Sequence, residues 1–197
     1  MKYAPIAIFS VLLASLLIGQ RFGFVWAGGS GYDPETGAYD ASGTYYDRGE
    51  TVSTAEQDRT YLRVGTPGDI AMLAELWLDH DTEIILDQTN SKRVTVRIIR
   101  GRVFAVAHDA QHPFTITTNA VQSTIFGGSL SVVNYDFRET VSVIPINTTA
   151  LVLVKNAEVF ETEKPVDIHE TSPVSILDTT FDPSSGAAAD FYAWAIE

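Results

Sequence analysis

His108 and His112 stand four residues apart in the run HDAQH, the spacing that puts two imidazoles on one helix face as metal ligands. The run joins two strand-like stretches, and Pro113 steers His112 away from helical backbone, so two loop histidines are expected instead. Asp79, His80, Asp81 and Glu83 form an acidic knot that offers paired carboxylates for hydrolysis. Such pairs work when burial separates their proton affinities, and nothing in the flanking residues predicts that burial. Asp33, Glu35, Asp40 and Asp47 lack the alternating oxygen ligands and closing glutamate of a calcium loop. With no cysteine there is no thiol nucleophile, thiolate metal site or disulfide framework. No G-x-S-x-G elbow, phosphate-cradling glycine loop or H-E-x-x-H is present. A non-enzymatic chain without cofactor or metal is the expectation.

The positive charge is more concentrated. Lys92, Arg93, Arg97, Arg100 and Arg102 fall within eleven residues that contain no carboxylate. These residues read either as the solvated face and turn of a hairpin or as a binding site for an envelope protein or an anionic polymer. The net charge of −12 repels a phosphate backbone, so nucleic acid is not an expected partner.

The elements that must position these groups are strands. Hydrophobic residues make up 45% of the 197, enough for a core, and 8 Tyr, 10 Phe and many Val and Thr favour sheet over helix. Val94, Val96 and Ile98 point one way while Arg93, Thr95 and Arg97 point the other. Strand-like runs recur at about ten-residue spacing, which predicts an all-β fold, a short β-solenoid or sandwich of about ten strands. Residues 69–81, DIAMLAELWLDHD, fit a strand and a short helix equally well. Near the C-terminus Phe191, Trp194 and Ala195 begin a helical pattern, read as a short helix docked on the sheet or as the start of an element cut off with the chain.

Residues 4–19 are apolar throughout, behind Lys2 and ahead of Gln20, Arg21 and the patch FGFVWA. This segment predicts export, with residues 1–27 either a single-pass helix in the inner or cytoplasmic membrane or a signal cleaved to release a secreted protein. Residues 28–49, rich in Gly, Ser, Asp and Tyr, read as a flexible acidic linker. Residues 50–165 form the expected β domain and residues 166–197 a C-terminal extension.

Several short motifs share one order. Gly49-Glu50-Thr51-Val52 opens the β region, Leu86-Asp87 ends an early strand, and Gly101-Arg102-Val103-Phe104 stands at its centre. Pro113-Phe114 with Thr117 and Thr118 follows, then Phe126-Gly127-Gly128-Ser129-Leu130. Together they resemble the FecR domain, the exported domain of bacterial ferric citrate signal transducers and of other envelope proteins. Gly128 and Leu130 stand where that family usually writes Thr and Phe. The resemblance implies structural roles for Gly101, Phe104, Pro113, Phe114, Gly127 and Gly128, with Phe104, Phe114 and Phe126 expected as core anchors. Transducers of this family add an inner domain that handles a sigma factor, and only a few residues precede the apolar segment here. A stand-alone module for envelope sensing or protein–protein interaction is therefore expected. The alternative is a cell-wall or carbohydrate-binding module with Tyr45, Tyr46, Tyr61, Trp77 or Trp194 as stacking platforms.

Overall fold

A computed structural model describes residues 37–40, 44–65, 72–90, 93–155, 157–171 and 173–196. Among them no helix is long and apolar enough to cross a membrane, and the N-terminal segment expected to do so lies outside them. The strands are β1 (Gly37–Asp40), β2 (Tyr45–Tyr46), β3 (Thr51–Ser53), β4 (Thr60–Gly65), β5 (Met72–Leu78), β6 (Glu83–Asn90), β7 (Arg93–Ala107) and β8 (Phe114–Thr117). Then come β9 (Val121–Ile125), β10 (Gly128–Asn134), β11 (Thr140–Ile146), β12 (Ala150–Val154), β13 (Val159–Thr162), β14 (Val166–His169), β15 (Ser175–Asp178) and one helix, α1 (Ala189–Ile196).

The described strands form one fifteen-stranded sheet, more than the about ten strands expected. The sheet curls so that its two halves face a common core. One half runs β3-β6-β7-β8-β9-β12-β13 and the other β2-β1-β4-β5-β7-β10-β11-β14-β15. Every described ladder is antiparallel except β7 with β8, whereas stacked solenoid coils would pair in parallel throughout. Within residues 69–81, Met72–Leu78 is strand and residues 79–81 begin the turn that follows: Ala74, Leu76 and Leu78 of β5 enter the core, while Trp77 lies on the opposite face. A helix there would have turned Leu76 away from the face shared by Ala74 and Leu78.

β7 belongs to both halves, and its sequence shows how. Val94, Val96 and Ile98 are buried at even positions, then Val103, Ala105 and Ala107 at odd ones. A strand keeps one face only while its side chains alternate, so this change of parity requires an irregular residue between. It falls where Glu83 pairs with Arg100 but Ile84 pairs with Ile98, and Gly101 follows with φ +106°. Gly101, for which the resemblance implies a structural role, bends one continuous strand of fifteen residues from one half of the sheet into the other. A Cβ on Gly101 would lie 2.5 Å from the Thr82 Cα. That closeness lets the Thr82 hydroxyl accept the Arg102 N–H at 3.1 Å, while Asn134 Nδ2 donates to the Ile99 carbonyl at 3.1 Å.

After β7 the chain alternates between the halves hairpin by hairpin: β8 and β9 in the first, β10 and β11 in the second, β12 and β13 in the first, β14 and β15 in the second. Two crossings pack together. Thr148, between β11 and β12, donates its hydroxyl to the Gly127 carbonyl at 2.8 Å, and a Cβ on Gly128 would meet the Thr148 Cβ at 2.7 Å. Gly128 thus serves a close approach of two crossover turns, while Gly127 supplies the positive φ, +80°, of the turn. Phe114 is fully inside the core, but Phe126, expected there, is 55% exposed because it lies on the outer side of the same crossing. Phe104 is buried on the outer face of the second half, away from the main core, beneath α1.

Gly101→Ala should cost at least about 3 kcal/mol, since it combines left-handed backbone with overlap against backbone that cannot yield. Gly49→Ala, also at positive φ but with nothing within 4 Å, should cost only about 1 kcal/mol. Urea unfolding of the two variants checks the difference.

Candidate functional site

The expected basic cluster does not gather on one surface, because the Gly101 bend divides it. Arg97 reaches Asp87 of β6 at 2.8 Å. Arg100 lies 3.3 Å from Asp81 and 3.8 Å from Glu83, and Arg102 lies 2.7 Å from Asp79. Arg93 begins β7 and is exposed, while Lys92 lies outside the described residues. The acidic knot spans the turn from β5 into the start of β6, and its carboxylates are the partners of Arg100 and Arg102. The histidines separate: His108 contacts Glu75 at 2.8 Å, and His112 contacts Asp109 three residues before it.

Asp79 is the buried carboxylate of this region among the described residues, with a side chain 1% exposed. Its two oxygens are shared between Arg59 Nε at 3.0 Å and Arg102 at 2.7 Å, and the first of them also accepts the His80 backbone N–H. This is a carboxylate held between two cations, not one of a pair of carboxylates sharing a proton. The signal for it was hard to read, since Arg59 and Arg102 lie on either side of Asp79 at separations of 20 and 23 residues.

The two guanidinium groups carry α1. Arg59 lies over the rings of Phe191 at 5.8 Å and Trp194 at 6.0 Å, and donates to the Asp190 carbonyl at 3.3 Å. Arg102 lies over Phe191 at 5.9 Å and Tyr192 at 5.7 Å. Phe191, Tyr192 and Ala195 pack on Phe104 to form a second small core, bordered by Trp77, Val106 and Ile146. The Tyr192 hydroxyl meets Ser131 Oγ at 2.9 Å; burial pushes the phenol up from its usual range, against the opposing effect of that hydrogen bond. An eight-residue helix is too short to persist alone, so this docking defines it. Trp77, one expected stacking platform, lies between Tyr61 at 4.9 Å and Phe104 at 5.5 Å.

Away from this clamp, β12 and β13 turn apolar side chains to solvent. Leu151, Leu153 and Val159 are 39%, 42% and 60% exposed, and Leu153 pairs directly with Val159 across the ladder. β13 ends its half of the sheet with no further strand among the described residues.

Residues 50–145, which hold the Gly101 corner and both crossover glycines, match the FecR protein family model. The chain carries a FecR domain. Its fold is similar to two crystal structures of a candidate anti-sigma factor from Parabacteroides distasonis ATCC 8503. The first, at 1.65 Å resolution, has a TM-score of 0.57 and 19% identity over 74% of this chain and 64% of that one. The second, at 2.50 Å, has a TM-score of 0.56 and 19% identity over 68% and 61%. The chain therefore spans less than two thirds of the length of either neighbour. No curated protein matches it.

Asp79 and Arg102 lie within the FecR match, while α1, which they hold, lies beyond it. Asp79→Ala would leave Arg102, with a side chain only 14% exposed, without its carboxylate. We expect a loss of about 3 kcal/mol and the release of α1, seen as faster hydrogen exchange across the helix. Asp87→Ala, which breaks a half-exposed pair with Arg97, should cost less than about 1 kcal/mol and leave α1 protected.

Proposed function

We propose that the chain is a non-enzymatic, extracytoplasmic FecR-type module that receives a protein partner in envelope signalling. The apolar N-terminal segment behind Lys2 supports export and attachment to the inner or cytoplasmic membrane. The FecR match, together with neighbours named as anti-sigma factors, supports a regulatory role within a signalling chain.

The observation that carries the binding role is the apolar surface of Leu151, Leu153 and Val159 beside the edge strand β13. Apolar side chains gathered at a sheet edge suit a partner that adds a strand or lays an apolar face across them. The charged side chains that sequence singled out are already engaged within the molecule: Arg97, Arg100 and Arg102 with acids, His108 and His112 likewise. An interface through Arg97 and Arg100 would exchange those ion pairs for new ones, with small net gain.

The full chain, captured from membranes after cross-linking, should bring down an envelope protein. Leu153→Glu with Val159→Glu should reduce that yield at least about tenfold while unfolding stays as in the parent. Arg97→Glu with Arg100→Glu should change it much less. If the arginine variant loses the partner and the apolar variant keeps it, the contact lies on β7; if neither matters, the partner docks elsewhere.

A further inference from the structure

Where the turns of the two sheet halves converge, the surface holds a cleft of about 430 Å³ lined by Asn119, Tyr135, Glu139, Thr140, Glu170 and Thr171. It adjoins a second hollow of about 700 Å³ that shares Asn119, Glu170 and Thr171 and reaches Lys155. At its rim Phe137 is 82% exposed, the most exposed large apolar side chain among the described residues. Its ring stacks on that of the cleft residue Tyr135 with centroids 5.4 Å apart and planes inclined by 29°. The pair makes a two-ring step leading into the cleft.

The backbone there is held in an uncommon conformation. Residues 136–138 form a single 3₁₀ turn, and Glu139 follows at φ +46°, ψ +28°, left-handed geometry that costs a non-glycine residue of order 1 kcal/mol or more. The Glu139 carbonyl accepts the Glu170 N–H at 3.0 Å, and the Thr140 hydroxyl contacts both the Arg138 carbonyl at 2.9 Å and His169 Nδ1 at 3.0 Å. These bonds fix the turn that presents Phe137. Nothing in the main core requires its ring to face solvent.

We infer that this cleft is a binding site for a neutral glycan, with the Phe137–Tyr135 step stacking on the apolar face of a sugar ring. Glu139 and Glu170 accept hydrogen bonds from ring hydroxyls, and Asn119 and Thr171 supply both donors and acceptors. Two carboxylates in the lining, and the net charge of −12, disfavour an anionic ligand. Arg138 beside Glu139 and Lys155 in the adjoining hollow offset the attraction for a cationic one. A flat ring at the rim of a pocket with several hydrogen-bonding groups suits a ligand with an apolar face and a polar edge. The cleft shares no lining residue with the Leu153–Val159 surface, and its assignment does not depend on the protein-partner reading.

The test titrates the full chain with chitotriose, cellotriose and maltotriose by calorimetry and by amide chemical shifts. At least one probe should bind saturably and shift the amides of residues 119, 135–140 and 170. Phe137→Ala should weaken that binding roughly three- to tenfold. Glu170→Gln, which keeps the shape and removes the charge, should weaken it by a smaller factor, and Tyr45→Ala should leave it unchanged. Thermal unfolding of each variant confirms that the fold persists, as expected for a ring so exposed. Absence of saturable binding by all three sugars overturns the assignment, and so does a Phe137→Ala variant that binds like the parent. If no sugar binds and Phe137→Ala instead lowers capture of the envelope protein, the aromatic step is a protein contact and the glycan assignment is wrong.

Discussion

Gly101 meets Thr82 at a distance that leaves no room for a Cβ, with its backbone at φ +106°, and most of the remaining architecture depends on that contact. It lets β7 continue through a corner and pair with β6 and β8 on one side and with β5 and β10 on the other. Strands that change layer at a bend are a general way to close a sheet over its own core. Here the bend places Val94, Val96 and Ile98 against the same interior as Val103, Ala105 and Ala107. The Thr82 hydroxyl and the Asn134 amide occupy the backbone groups that an irregular strand would otherwise leave unpaired.

The same corner explains what became of the charged residues. Reversing the parity of β7 sends Arg97 and Arg102 to the outer faces of different halves. Arg97 then meets Asp87 in partial exposure, where the pair contributes little. Arg102 meets Asp79 in a place sealed by α1, where loss of either partner would strand a charge. One run of basic sequence thus supplies both a surface pair and a clamp. The clamp joins the C-terminal helix to the FecR domain through cation–π contacts and the second small core.

Much of this was legible in the residues. Alternation in β7 pointed to strands, and the order of the short motifs pointed to the FecR family and to structural roles for the glycines at 101, 127 and 128, because each depends on local chemistry. The burial of Asp79 was not legible, since it needs Arg59, Arg102 and a helix more than a hundred residues away. Phe126 misled because an aromatic beside two glycines reads as an anchor, while the crossover turn in which it sits faces outward. Phe137 escaped notice for the opposite reason: sequence does not distinguish a ring in the core from a ring set on a rigid turn in solvent. The choice between strand and helix at residues 69–81 was decided by ladders to β4 and β7, which local periodicity does not contain.

The proposed roles rest on two surfaces among the described residues: the apolar edge by β13 and the aromatic step by the polar cleft. Both rely on a body that does not open in parts. Native-state hydrogen exchange along β7 tests that most directly. If Gly101 makes the two halves one cooperative unit, amides in residues 94–98 and 103–107 will exchange with a single opening free energy equal to that of global unfolding. If one segment opens at a free energy lower by about 2 kcal/mol or more, the halves are separate units joined by a flexible bend, and the account is wrong.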